Sequence, residues 1–379
     1  MTFIDFKAAF DSVNRNAIWQ IFERLGMPQK IANIIRNMYT DTNSIVKMNN
    51  NLSDPFPVCS GVRQGGVLSP FLFNLLIDWV MYTATEGTNH GIQLETLITD
   101  LDYADDICLL EDNSADAQAL LDRVLSAAVE VGLKINAGKT KCMFSRLEPS
   151  SIYCNDCALD NVAEFDYLGS RISHNGDISC EIQHRIARAT ANACQLNKFW
   201  SNRDITIKTK SKVYKACVRS ALLYGAETWT LRKADLSRLD AFENRCARKF
   251  FGGKTELRSS TIRSMAHLGG SLDPLLRQMR LKWCGHVFRM TEDRVTREAL
   301  MFDKASSWKR PPGGMRKTWR TTVAEDLEPI LKPPRMRSDI WKRKWKDTCS
   351  EIATDRPRWR AVVRDAVSVA GNGQTCLKS

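Results

Sequence analysis

Three aspartates set the chemistry this chain can do. Asp105 and Asp106 are adjacent in Tyr103-Ala104-Asp105-Asp106, and Asp5 closes the β-prone run Met1-Thr2-Phe3-Ile4. The acidic pair stands between a run ending at Leu101 and the apolar Ile107-Cys108-Leu109-Leu110. That pattern predicts strand, tight turn and strand, with the acids at the tip. Carboxylates held so close repel one another and resist burial unless a cation offsets their charge. Acids from two neighbouring strands can hold two Mg²⁺ ions about 3.5–4 Å apart, the arrangement that drives phosphoryl transfer in polymerases and nucleases. A solvated Asp-Asp turn is the simpler reading of the pair alone, and the surrounding pattern overturns it.

The elements that must position these acids are legible along the first half. Apolar residues from Ala17 to Met38 follow helical spacing, broken at Gly26-Met27-Pro28. Ser44–Met48 and Phe56–Cys59, separated by three asparagines, predict a hairpin. The stretch Gly61 to Gly66 predicts a flexible loop. Ser69-Pro70 opens a helix with Ser as cap, and Ser114 caps another whose inward face is Ala117, Leu120, Leu121, Val124, Leu125 and Ala128. Gly132 ends that helix. A further hairpin spans Ile152 to Leu168, turning at Cys154–Cys157. The order predicts an α+β fold, an antiparallel sheet with helices on one face. Beyond Asp177 the spacing is helical. Ile182, Ile186, Ala189, Ala193, Leu196 and Trp200 share a face, as do Val213, Cys217 and Ala221, and then Leu236, Leu239, Phe242 and Cys246.

Charge divides the chain. Residues 1–150 hold 12 Lys+Arg against 18 Asp+Glu, whereas residues 151–379 hold 43 against 25. An acidic metal site beside a basic polyanion track is the arrangement this asymmetry predicts. The most apolar stretch, Val67 to Tyr82, is interrupted by Ser69, Pro70, Asn74 and Asp78, so no membrane span is expected. Twelve scattered cysteines and the lack of a signal-like opening predict reduced thiols in an intracellular protein. Cys154 and Cys157, with Cys180 and His184 further on, and the Cys284-Gly285-His286 run are weak zinc candidates, because Asn155-Asp156 is ordinary turn chemistry.

Five runs, in order, carry a resemblance. Phe3-Ile4-Asp5-Phe6-Lys7-Ala8-Ala9-Phe10-Asp11, the stretch from Gly61 through Arg63-Gln64-Gly65-Gly66 to Asn74, Tyr103-Ala104-Asp105-Asp106, Gly132 to Thr140, and Phe165-Asp166-Tyr167-Leu168-Gly169-Ser170 resemble the successive motifs of LINE-type (non-LTR retrotransposon) reverse transcriptases. The resemblance covers residues 1 to about 250. It implies a polymerase palm with partial fingers over 1–177, a helical thumb over 178–258 and a basic, mainly helical C-terminal region over 259–379. It also implies RNA-directed DNA synthesis from dNTPs on an RNA template and DNA primer, with two Mg²⁺ ions (Mn²⁺ as the alternative).

Roles follow from the resemblance. Asp5 and Asp105 would ligate both ions, with the Phe6 carbonyl as an extra ligand and Asp106 adjacent but less direct. Phe10 would exclude a ribose 2′-hydroxyl, unless it is simply a core ring. Gln64 and Gly65 would meet the incoming nucleotide, and Arg63 a phosphate or solvent. Lys139 would protonate pyrophosphate as a general acid, with Lys141 as competitor. Tyr167, Leu168 and Gly169 would grip the primer. Arg185, Arg188, Lys208, Lys210 and Lys212 would track phosphates. The tail alternates Trp with Arg and Lys (Trp283, Trp308, Trp319, Trp341, Trp345, Trp359), which suits base stacking or an amphipathic core helix. No fingers region precedes Met1 and no endonuclease is legible, so the chain is expected to be part of a longer reading frame or a truncated copy. Element RNA is the expected partner, and work in the nucleus during integration, or in the cytoplasm, the expected setting. A non-catalytic nucleic-acid-binding remnant is the alternative.

Overall fold

The run Thr2–Ile4 becomes the middle strand of a five-stranded sheet. In a computed structural model, which describes residues 1–145, 150–253, 257–302 and 317–372, the strand order is Asp160–Asn161, Lys141–Cys142, Thr2–Ile4, Asp106–Leu109, Asp100–Tyr103. All neighbours are antiparallel except the first pair. The chain divides into two compact units, Met1–Leu168 and Gly169–Ser379. The expected boundary after residue 177 therefore falls inside the second unit.

Register decides which side chains share a face of the first unit's sheet. Thr2 pairs with Leu109, Phe3 with Cys108 and Ile4 with Ile107. Side chains alternate along a strand and directly paired residues share a side. Ile4, Ile107 and Leu109 thus join the helix-covered core. Phe3 points the other way and stacks on Phe165 with ring centroids 4.1 Å apart.

Helices Ser69–Thr85 and Ser114–Glu130 cover the core face, with Arg15–Arg24 packed behind the first. They bury Leu72, Phe73, Leu76, Leu120, Leu121 and Val124 completely. Each such side chain contributes about 1.5–3 kcal/mol. Both helix starts differ from expectation by one residue. Leu68 precedes the first helix, and the Ser69 hydroxyl instead donates to the Arg63 carbonyl. Asn113 caps the second, its Oδ1 accepting the Asp116 N–H at 2.9 Å. Gly132, at φ 86°, ends that helix where a Cβ would lie 2.8 Å from the Ser12 carbonyl oxygen.

The expected hairpin over 44–59 is two short ladders, Asn43–Ser44 with Phe56–Pro57 and Lys47–Met48 with Asn51–Leu52. Asn49 and Asn50, both at positive φ, make the turn. Asn155 and Asp156 do the same between Tyr153–Cys154 and Cys157–Ala158. The two cysteines there are a cross-strand pair flanking a tight turn, as the turn chemistry predicts.

The second unit is almost wholly helical. Its first core runs from Ile182 to Leu276, so a boundary at 258/259 would cut through packed residues such as Ile262 and Ala266. Its second core runs from Leu281 to Ala366, and helix Asp273–Phe288 contributes to both. The expected face Val213, Cys217, Ala221 is displaced. Tyr214, Val218 and Leu222 are the buried residues, and Cys217 is exposed. The buried set keeps the expected four-residue spacing one position further on, and a π-helical turn runs over Tyr214–Arg219.

Several of this unit's cations are spent inside it. Glu243, fully buried, accepts from Arg219 and Arg263 at 2.6 Å each. Arg280 pairs with Asp326 at 2.7 Å, also buried. The described tail tryptophans lie in the second core or pack against it. The indole N–H of Trp341 donates to the Ala324 carbonyl, and that of Trp359 to the Leu281 carbonyl. Trp345 is buried beside them, Trp319 and Trp283 are half-buried, and Trp308 lies outside the described residues. Gly285 exists to admit Trp359, because a Cβ there would sit 2.0 Å from its indole nitrogen. That explains the Cys284-Gly285-His286 run as helix packing.

Candidate active site

Asp5 is the next residue after Ile4, and continuing the Ile4–Ile107 register sets it opposite Asp106. Alternation puts both on the Phe3 side of the sheet, away from the helix core. Tyr103 and Asp106 close the neighbouring hairpin, leaving Ala104-Asp105 as its two-residue loop. Ala104 holds φ 56°, a left-handed conformation unusual for a residue with a side chain. The expected strand-turn-strand is therefore present, and it brings the Asp105-Asp106 tip beside Asp5.

The Asp5 backbone is pinned by the Gly132-to-Thr140 stretch. Its carbonyl accepts the Asn136 N–H at 2.7 Å, and its N–H donates to the Thr140 hydroxyl at 3.2 Å. The Lys7 N–H donates to the Lys134 carbonyl, which leaves Phe6 facing Ile135 as a pair outside this ladder's hydrogen bonds. The Phe6 side chain is buried in the core. Thr140, fully buried, and Asn136 are positioning residues that the sequence reading passed over, although both lie in a stretch it singled out.

The acids are electrostatically crowded. Burial first, then the neighbouring Asp105 and Asp5 carboxylates, raise the Asp106 pKa. Asp5 is partly open to solvent, yet its Oδ2 is enclosed and has no hydrogen-bond partner. The Lys139 Nζ lies 3.8 Å from that oxygen, an ion-pair distance too long for a hydrogen bond. An enclosed, unpartnered carboxylate oxygen beside two further acids suits a hard divalent cation. Lys141 is engaged elsewhere, donating to Asp160 at 2.6 Å and to the Gly138 carbonyl at 2.7 Å.

Other expected residues take definite places. Phe10 is half-buried and stacks on Phe73, centroids 4.4 Å apart. Gln64 and Gly65 are exposed on a loop where Gly65 has φ 81°, and Arg63 lies over the Tyr39 ring. Gly66 is not a mere source of flexibility, because a Cβ there would meet the Ser69 hydroxyl at 2.8 Å. The Tyr167 hydroxyl reaches the Leu101 carbonyl at 2.7 Å and the Asp106 carbonyl at 3.3 Å. Leu168 and Gly169 both have positive φ.

Two expected phosphate contacts are corrected. Arg185 is buried, bonded to Glu181 at 2.5 Å and to the Gly169 carbonyl, and lies over the Tyr224 ring. Lys210 is buried and donates to the Trp200 carbonyl at 2.7 Å. Cations placed this way hold the helical unit together and are closed to a polyanion. Arg188, Lys208 and Lys212 are exposed.

A second acidic group went unforeseen. Asp102 pairs with Ile107 and so faces helix Ser69–Thr85, where it lines a 380 Å³ pocket with Phe71, Asn74, Asp78 and Ala104. Crowding by protein atoms, then Asp100 and Asp78, pushes its pKa up to about 8. The Asp100-x-Asp102 alternation was the available signal.

Residues 1–172 match the family model described as reverse transcriptase (RNA-dependent DNA polymerase). A transposon-derived protein of Caenorhabditis elegans is 30% identical over 279 residues, 70% of this chain and 95% of that one. The Pol polyprotein of the type-2 retrotransposable element R2DM of Drosophila melanogaster is 30% identical over 190 residues, 47% of this chain. The RNA-directed DNA polymerase from the Drosophila mobile element jockey is 23% identical over 279 residues, 69% of this chain. The chain spans only 18% of the R2DM polyprotein and 29% of the jockey polymerase.

Proposed function

The chain belongs to the reverse transcriptase family of non-LTR retrotransposons, and from that premise we propose that it carries out RNA-directed DNA synthesis. In this reading the first unit is the palm with partial fingers, and the helices after residue 178 include the thumb. The observation that carries it is the meeting of Asp5 with the Asp105-Asp106 tip, one enclosed Asp5 oxygen lacking a hydrogen bond.

Asp5, Asp105 and the Phe6 carbonyl would hold two Mg²⁺ ions, with Asp106 beside them. Such ions acidify a primer 3′-hydroxyl and neutralise charge on the triphosphate. The chain's own residues do the rest. Lys139 extends from the side of Asp5 and is mostly exposed, so it can swing to a leaving pyrophosphate and donate its proton. Gln64 and Gly65 would meet the incoming dNTP. Phe10, stacked on Phe73, would meet the sugar and exclude a 2′-hydroxyl. The 167–169 turn would support the primer backbone. RNA template, DNA primer and dNTPs are the partners this reading requires, and the nucleus is its setting during integration.

The test is primer extension on poly(rA)/oligo(dT) with Mg²⁺, beside Asp105→Asn. Incorporation by the parent and its loss in the variant would support polymerase chemistry. Equal incorporation in both would remove the hairpin tip from catalysis. Binding without incorporation by either would leave a nucleic-acid-binding remnant as the function.

A further inference from the structure

On the helix side of the first unit, away from the three aspartates, three chemically different ligands converge. His90 lies in the loop after helix Ser69–Thr85, Glu111 follows strand Asp106–Leu109, and Asp116 sits in the first turn of helix Ser114–Glu130. One ligating atom from each lies within 4.8 Å of the others. His90 Nδ1 is 3.5 Å from Asp116 Oδ1.

The two carboxylates are each held through one oxygen. Glu111 Oε2 accepts the Gly91 N–H at 2.8 Å, and Asp116 Oδ2 accepts the Asn113 side-chain amide at 2.5 Å. Gly91 itself is locked in place, because a Cβ there would stand 2.6 Å from the Ile98 carbonyl oxygen. That close approach fixes His90 beside Glu111. The remaining Glu111 oxygen, Oε1, is enclosed and has no hydrogen-bond partner.

We propose that His90, Glu111 and Asp116 form a zinc-class divalent-metal site distinct from the aspartate cluster. An imidazole with two carboxylates suits zinc, whereas Mg²⁺ and Ca²⁺ prefer all-oxygen shells. Tetrahedral zinc at about 2.0–2.2 Å from its ligands spaces them about 3.4 Å apart. The His90–Asp116 pair already matches that edge, and a Glu111 carboxylate oxygen lies within 4.8 Å of both. All three residues are half-buried, so water can take the fourth position. The bound ion would tie the loop after one helix to the start of the next, behind the strand that begins at Asp106.

The full chain, stripped with a chelator, is titrated with Co²⁺ as a spectroscopic probe and then with Zn²⁺ in competition. The expected result is one equivalent bound with a nitrogen/oxygen-type visible spectrum, displaced by Zn²⁺. His90→Ala should weaken Co²⁺ binding at least about tenfold. Glu111→Gln, which keeps an acceptor for the Gly91 N–H, should weaken it similarly, and Asp5→Asn should leave it unchanged. Absence of a tight equivalent would overturn the site. So would thiolate charge-transfer bands, which would assign the metal to cysteines, or equal affinity in parent and His90→Ala.

Discussion

The Tyr167 hydroxyl donates to the Leu101 carbonyl 2.7 Å away, tying the strand at the end of the first unit to the hairpin that carries Asp105 and Asp106. The same oxygen stands 3.3 Å from the Asp106 carbonyl. Neutral phenol suits this role, and burial, followed by Cys108 and three nearby aspartates, raises the Tyr167 pKa so that the donor proton stays on. Tyr167→Phe should keep the ring against Phe3 and lose the bond, at about 0.5–1.5 kcal/mol. Urea unfolding measures the loss. Primer extension should fall with it if the bond steadies the tip, and unaltered extension would confine Tyr167 to stability.

Lys139 and Lys141 are two residues apart but differ in engagement. Lys139 lies near Asp5 with a mostly exposed side chain, whereas Lys141 is tied to Asp160. Lys139→Ala should lower the single-turnover rate of incorporation about 10²–10⁴-fold, the range for losing a general acid. Lys141→Ala should change it little. The reverse ranking would assign the proton donor to Lys141.

Cations of the helical unit should sort by burial. Arg185→Ala removes one partner of a buried pair and should cost about 3–5 kcal/mol of stability. Lys208→Ala and Lys212→Ala, both at exposed positions, should leave stability unchanged. If they contact phosphate, each should reduce the salt slope of RNA binding by about one. Fluorescence anisotropy across a salt series reads the slope, and an unchanged slope removes the residue from the nucleic-acid surface.

Asp102 gives the first unit a pH dependence. In the folded chain its proton is held up to about pH 8, against an ordinary value of 3.8. The folded state therefore binds more protons than the unfolded state between those values, and this group's contribution to stability declines as pH rises through that window. Asp102→Asn should melt like the parent near pH 4 and gain on it up to pH 8. The residue is exposed, so solvent screening limits the gain to about 1 kcal/mol or less. A gap that does not change between pH 4 and 8 would contradict the crowding of Asp100, Asp102 and Asp78.

The sequence by itself determined the local elements and their chemistry. Apolar runs on either side of Tyr103-Ala104-Asp105-Asp106 left a tight hairpin as the favoured local structure. Asn49-Asn50 and Asn155-Asp156 supplied residues that tolerate positive φ, and the inward face of Ser114–Glu130 was readable because 3.6-residue periodicity is local information. The order of the five motifs carried the family. Tertiary structure decided which charges are available. The i,i+4 spacing of Glu181 and Arg185 permits a pair, but nothing local to Arg185 or Lys210 separates a buried cation from a solvated helix face, because the carbonyls of Gly169 and Trp200 that receive them are placed by the fold. Likewise, only packing could show that Trp341, Trp345 and Trp359 are core residues, that Tyr214 rather than Val213 faces inward, and that strand register gathers Asp5 with Asp106 while His90, Glu111 and Asp116 meet elsewhere. Periodicity specifies a face. What that face meets depends on contacts distant in sequence, and those exist only once the chain has folded.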